Sequence, residues 1–163
     1  MNSDKKKMIS RILVVSDTHG RRDNLQRCID ISAPLDIIIH CGDGVKDIRS
    51  ADIPDNSVVF AVAGNTDIYS SPDEESSIIE KIDNKTVLIT HGHQYNVKSG
   101  LYSLKKFAGD IPADVVLFGH THISFLSANN PVLFNPGDLS TGSYGIITIG
   151  ADKEWIFEQK KIT

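Results

Sequence analysis

Five short apolar runs constrain this chain more than any other feature: Arg11–Ser16, Asp36–Cys41, Ser57–Ala63, Thr86–Thr90 and Asp114–Phe118. Each is about five to seven residues, rich in Val and Ile, and too short for a typical helix. Their near-continuous apolar character predicts strands covered on both faces. Helical spacing predicts helices over Asn24–Ser32, ending before Pro34, and over Lys98–Ala108, with Gly109 as its stop. After Phe118 the pattern becomes strands joined by tight turns, over His122–Ala128, Val132–Phe134, Tyr144–Ile149 and Lys153–Gln159. An α/β first half running into a β-rich second half is satisfied by two sheets packed face to face with helices outside.

A polar cluster follows each of the five runs at once. These are Asp17-Thr18-His19, Gly42-Asp43, Gly64-Asn65, His91-Gly92-His93 and Gly119-His120-Thr121-His122. Parallel strands would bring all five clusters to one carboxyl edge, where open α/β sheets bind ligands. Of the six histidines, only His40 lies outside the clusters, and it is read as a core residue or as support for the site. Asp17/His19 and His120/His122 are each two apart, so extended backbone would point both members to the same side. Taken singly the clusters have ordinary readings: Asp17 could cap a helix, while Asp43-Gly44 and Gly64-Asn65 could be turns. Taken together they predict a metal site made of Asp17, His19, Asp43, Asn65, His91, His120 and His122.

Mixed imidazole, carboxylate and amide donors without thiolate suit Mn²⁺ first, with Ni²⁺, Fe²⁺ or Zn²⁺ as alternatives. Seven side chains exceed what one ion with an open position uses. They fit two divalent ions sharing a bridging carboxylate, about 3.5–4 Å apart. A centre of that charge attracts a phosphate ester.

Composition narrows the surroundings. At 163 residues the chain can form one domain that buries about 70% of its unfolded surface. We expect residues 1–10 to be a flexible tail and 11–163 a single domain. A net charge of −4 and a pI near 5.8 argue against a general nucleic-acid binder. No apolar stretch approaches the roughly 18 residues of a membrane span. Cys28 and Cys41 match no metal-knuckle or redox spacing and are expected to be buried, reduced thiols of a cytoplasmic protein.

The ordered set D-T-H, G-D, G-N, H-G-H and G-H-T-H resembles the calcineurin-like metallophosphoesterase superfamily. Within it, His40–Asp43, His91–Val97, Phe118–His122 and Asn135–Gly137 look like the small single-domain YfcE-type phosphodiesterases, a branch that includes the retromer scaffold subunit. The resemblance runs from about Arg11 to the C-terminus and implies a four-layer αββα sandwich of two mixed sheets flanked by helices. It also implies one metal on Asp17, His19, Asp43 and His122, and a second on Asp43, Asn65, His91 and His120. Asp43 would be the bridge, and a bridging hydroxide would attack a small-molecule phosphodiester, with a phosphomonoester as a further substrate. Asp43, Asn65 and His93 are the residues expected to take part in catalysis, and the likeness also allows a homodimer. Two departures stand out. Thr66 occupies the position where relatives carry histidine or cysteine, which leaves His93 as the candidate proton donor. Asp138 replaces the usual serine of N-P-G-S, and a turn role is favoured for it. The competing reading is a metal-binding scaffold of the same fold.

Overall fold

The structure, a computed structural model, describes residues 8–67, 69 and 71–163. Among the described residues, ten strands and three α-helices follow one another. The first sheet takes β1 (Met8–Val15), β2 (Ile37–His40), β3 (Val58–Ala61), β9 (Ser143–Gly150) and β10 (Trp155–Lys161), in the order β10-β9-β1-β2-β3. The second takes β4 (Ser77–Ile82), β5 (Lys85–Thr90), β6 (Val115–Leu117), β7 (Phe125–Ser127) and β8 (Val132–Asn135), in the order β4-β5-β6-β8-β7. The helices are α1 (Arg22–Ser32), α2 (Val45–Arg49) and α3 (Tyr102–Asp110).

Strand periodicity explains the layers. In β1, Ile12 and Val14 face the second sheet, where they join Val87, Ile89, Leu117 and Phe134 in one core. Leu13 and Val15 point the other way and pack with Leu25, Cys28 and Ile29 of α1 and Ile48 of α2. The second sheet repeats the scheme: Leu88, Val116 and Leu133 pack against Leu104 and Ala108 of α3. Side chains alternating across the pleat of these inner strands feed two cores, so they read as continuously apolar. β3, at the sheet edge, instead leaves Val58 and Val59 exposed rather than covered on both faces as expected. The result is the expected αββα sandwich.

The five predicted strands divide between the sheets. β1, β2 and β3 run parallel in the first, and β5 and β6 run parallel in the second. Their carboxyl ends converge from both sheets, so the single sheet edge of the sequence reading becomes a junction of two.

Several boundaries differ from expectation. β1 begins at Met8 and pairs with β9 from there, so residues 8–10 belong to the sheet rather than to a tail; residues 1–7 lie outside the described residues. α3 starts at Tyr102, runs through Gly109 and ends at Asp110, with Pro112 two residues on. Pro112 has no N–H with which to continue the helical ladder, and this stops α3 where an exposed glycine does not. The strand expected from His122 begins at Phe125, because His122 adopts φ 61° and leaves extended backbone. Likewise Lys153, at φ 65°, belongs to the turn before β10.

Both cysteines are buried and unpaired, and burial raises both thiol pKa values, that of Cys28 to about 12. Among the described residues, no helix is long and apolar enough to cross a membrane.

Candidate metal centre

The parallel ladder does not stop where the strands do. Asp17 N–H donates to Gly42 O at 3.0 Å and His19 N–H to Asp43 O at 3.2 Å, which ties the loop after β1 to the loop after β2. Gly119 N–H donates to His91 O at 3.1 Å and joins the loops after β6 and β5 in the same way. Close approach requires glycine beside both carboxylates. A Cβ on Gly64 would collide with the Asp43 carboxylate, and one on Gly119 with Ser16 and Asp17.

All seven side chains singled out from the sequence come together. Asp17 Oδ1 lies 3.1 Å from His122 Nε2, 3.6 Å from His19 Nε2 and 4.0 Å from His91 Nε2. Asp43 Oδ2 lies 3.4 Å from His91 Nε2 and 3.9 Å from His19 Nε2. Asn65 Oδ1 and His120 Nδ1 are each 3.1 Å from His91 Nε2. Two groups, Asp17/His19/His122 and Asp17/Asp43/His91, have the reach to hold an ion.

The pairs separated by two residues converge by a different route from the one expected. Asp17, His19, Asp43, His120 and His122 are five of the eight non-glycine residues with positive φ among the described residues. They sit in left-handed turns, not in extended backbone. L-residues adopt that region at a cost, and such strain collects at functional sites.

Each carboxylate divides its two oxygens between support and site. Asp17 Oδ2 accepts from Ser16 Oγ at 2.6 Å and from His120 N–H at 3.1 Å. Its Oδ1, buried, has no hydrogen-bond partner among the described residues. Asp43 Oδ1 accepts from Thr66 N–H at 2.9 Å, and Oδ2 faces the imidazoles. Asp17 therefore does not cap α1, whose N-cap is Arg21.

His91 is aimed in the same manner. Its Nδ1–H donates to Cys41 O at 2.7 Å, so in the neutral ring Nε2 presents a lone pair to the site. That lone pair faces Asn65 Oδ1 and Asp43 Oδ2, which also can only accept. Electron-pair donors this close repel unless a proton or a metal cation sits among them. Burial opposes charge on His91, but Asp43 and then Asp17 outweigh it and raise its pKa. For Asp43, burial is outweighed by His91 and Thr66, and its pKa falls well below the carboxylate range. For Asp17, burial wins over His91 and Ser16, and its pKa rises. His120 is pushed down to about 4 by burial, then by the charges of His91 and Lys98. The unpartnered Asp17 oxygen and the lone pairs converging on His91 Nε2 fit divalent metal ions.

His93 stands beside this group, its ring centroid 5.3 Å from that of His91 and 6.1 Å from that of His120. Burial, followed by the His91 charge, lowers its pKa. Thr66 is exposed and contributes its backbone N–H rather than an acidic side chain. Asp138 does two things at once. Its Oδ1 accepts from Ser140 N–H at 2.8 Å and caps the short turn Leu139–Thr141, while Oδ2 lies 3.6 Å from His122 Nδ1.

Three supporting residues escaped the sequence reading: Ser16, Asp47 and Asp67. Asp67 accepts from the N–H groups of Gly44, Val45 and Gly64, bracing the Asp43 loop against the Asn65 loop. Asp47 Oδ2 accepts from Thr18 Oγ1 at 2.6 Å and from Gly20 N–H at 2.8 Å. The available signal was position, since Ser16 directly precedes Asp17, and Asp47 and Asp67 follow Asp43 and Asn65 within four places. His40 completes this network as expected. Its Nδ1 accepts from Gly42 N–H, so the ring proton sits on Nε2, which donates to Thr18 Oγ1 at 3.2 Å. Asn135 braces the remaining loop, donating from Nδ2 to Gly119 O and to Thr121 Oγ1, both at 3.0 Å.

A two-sheet sandwich with imidazoles and carboxylates gathered at its strand ends defines a class, and the chain belongs to the calcineurin-like phosphoesterase superfamily, whose domain model matches residues 11–150. Its relatives are small metallophosphoesterases. It is 31% identical over 149 residues to the probable metallophosphoesterase YsnB of Bacillus subtilis, covering 86% of this chain and 85% of that one. It is 32% identical over 161 residues to the phosphodiesterase MJ0936 of Methanocaldococcus jannaschii, covering 86% and 90%. Zinc-complexed Vps29 of Entamoeba histolytica has the same fold, with a TM-score of 0.65 at 17% identity over 93% of this chain and 98% of the other. Metal-dependent phosphoester hydrolysis is the activity of the class.

Proposed function

We propose that this chain is a dinuclear phosphodiesterase acting on a small-molecule diester. The observation that carries the reading is Asp43 Oδ2, within 3.9 Å of His19 Nε2 and 3.4 Å of His91 Nε2. Lying near both His19 and His91, that oxygen would serve two donor sets, Asp17/His19/His122 and Asn65/His91/His120. With Oδ1 held by Thr66 N–H, it is the Asp43 oxygen left to bridge.

When bound, two divalent ions, Mn²⁺ first and Ni²⁺, Fe²⁺ or Zn²⁺ as alternatives, supply an acidified water as nucleophile and positive charge against the phosphoryl oxygens. The chain's own residues do the positioning. Asn135 fixes the loop that carries His120 and His122, and Asp67 fixes the loops that carry Asp43 and Asn65. His93 stands where it can meet a leaving oxygen. Its lowered pKa leaves it a neutral donor at neutral pH, a weaker aid to departure than imidazolium. The reading therefore expects a preference for good leaving groups.

A diester is favoured over a monoester by the printed activity of MJ0936. Two clefts beside the centre also favour it, one for each ester arm. The first, of about 300 Å³, is polar and bordered by His19, Arg22, Lys46 and Thr66. The second, of about 270 Å³, is mostly apolar and includes Thr121, between His120 and His122. The chain's net charge of −4 argues against a nucleic-acid polymer as partner. Buried, unpaired thiols suit a reducing compartment, and we take that to be the cytoplasm.

The test is Mn²⁺-dependent hydrolysis of bis-p-nitrophenyl phosphate. Asp43→Ala and His91→Ala are expected to lose at least about a hundredfold, the upper end of what even an outer ligand partner is worth. An inert metal-loaded protein, or variants as active as the parent, would overturn the enzyme reading in favour of a scaffold.

A further inference from the structure

The second cleft, a cavity of about 270 Å³, lies on the His120–His122 side of the centre. Val97, Leu101, Phe118, Ile123 and Phe125 form its apolar lining, and Lys98 and Thr121 complete it. Part of that lining is rigid. Val97 and Phe118 are only 4% and 1% exposed, within the core that seats α3 on the second sheet. The rings of Phe118 and Phe125 meet edge to face with centroids 6.4 Å apart. Thr121 is pinned through its hydroxyl by Asn135. The other part is open, since Ile123 is 70% and Phe125 37% exposed.

Two observations connect the cavity to the chemistry. Thr121 stands between His120 and His122, so a phosphoryl group at those imidazoles has the cavity one residue away. Lys98 lines the same cavity and brings a positive charge that complements an anionic phosphoryl group from that side. Small-molecule subsites have this form, an apolar cup with few polar groups that fix orientation.

On the reading of this chain as a metal-dependent phosphodiesterase, we propose that the cavity receives one organic arm of the substrate, and that this arm is an aryl ring. The volume holds a single ring system and falls just short of the roughly 300 Å³ at which drug-sized sites begin. A sugar arm would turn hydroxyls toward Val97, Phe118 and Phe125, which offer them no hydrogen bond. A planar ring instead finds the edge-to-face partners that aromatic groups prefer.

Phenylphosphonate and methylphosphonate test this, because they share a head group and differ only in the arm. Isothermal titration calorimetry on the Mn²⁺-loaded protein is expected to give phenylphosphonate about tenfold tighter binding, equivalent to about 1.4 kcal/mol. Phe125→Ala and Ile123→Ser are both expected to bring the ratio of the two affinities toward one. Each removes an exposed side chain, so loss of fold in one leaves the other to decide. Equal affinities in the parent protein, or variants that keep the full ratio, overturn the subsite. If neither phosphonate binds the metal-loaded protein, the metal-centre reading fails and the subsite falls with it.

Discussion

His40 offers a quantitative test of the network beneath the site. It ends β2 with no exposed surface, and its Nδ1 already accepts a hydrogen bond from Gly42 N–H, so a second ring proton has no place to go. Burial lowers its pKa from 6.5 to about 4, even though Asp67 and Asp47 pull it upward. The folded value lies below the unfolded one, so between the two the unfolded chain binds more protons and stability rises with pH. The contribution is fully present above pH 6.5 and is lost as pH falls through about 4. A drop from 6.5 to about 4, at about 1.4 kcal/mol for each pH unit, amounts to about 3 kcal/mol. Urea unfolding of the metal-free protein at about pH 7.5 and 4.5, beside His40→Gln, isolates the effect. The parent is expected to lose about 2.5 kcal/mol more than the variant over that interval. Parallel losses would refute the claim that a neutral, fully buried His40 holds the Thr18–Asp47 link together.

Two further outcomes follow from the packing. Asp138→Asn keeps an oxygen to cap the Leu139–Thr141 turn but removes the charge 3.6 Å from His122 Nδ1. Mn²⁺ affinity measured by chelator competition is expected to fall about tenfold, and an unchanged affinity would confine Asp138 to its turn. Phe134→Ala empties a fully buried position between the sheets, where its ring lies 5.5 Å from that of Phe157. It should cost about 3–5 kcal/mol in urea unfolding, and a loss below about 1 kcal/mol would show that the inter-sheet core closes around the gap.

The strands that feed two cores were readable from sequence, because alternate residues such as Ile12 and Leu13 are both buried on opposite faces. β4 was not. It is an edge strand in which Glu80 and Lys81 interrupt the apolar pattern, and exposed edges carry such charges. α2, five residues long, is shorter than the helical period needs to show itself. The site was legible as five clusters placed after strands, and its residues did meet. Its local backbone was not, since residue spacing does not distinguish an extended Asp17–His19 from the left-handed turns that the structure contains. Asp47 and Asp67 resemble any loop acid in sequence. Only the fold shows that they collect the backbone N–H groups of loops distant along the chain.

The central claim is that Asp43 joins two metal ions in one site. Electron paramagnetic resonance of the apoprotein titrated with Mn²⁺ addresses it directly. Uptake of two ions per chain is expected, with the six-line spectrum of isolated Mn²⁺ giving way to that of a spin-coupled pair, and with loss of the coupled signal in Asp43→Ala. Saturation at one ion, or two ions that remain magnetically isolated, would contradict it.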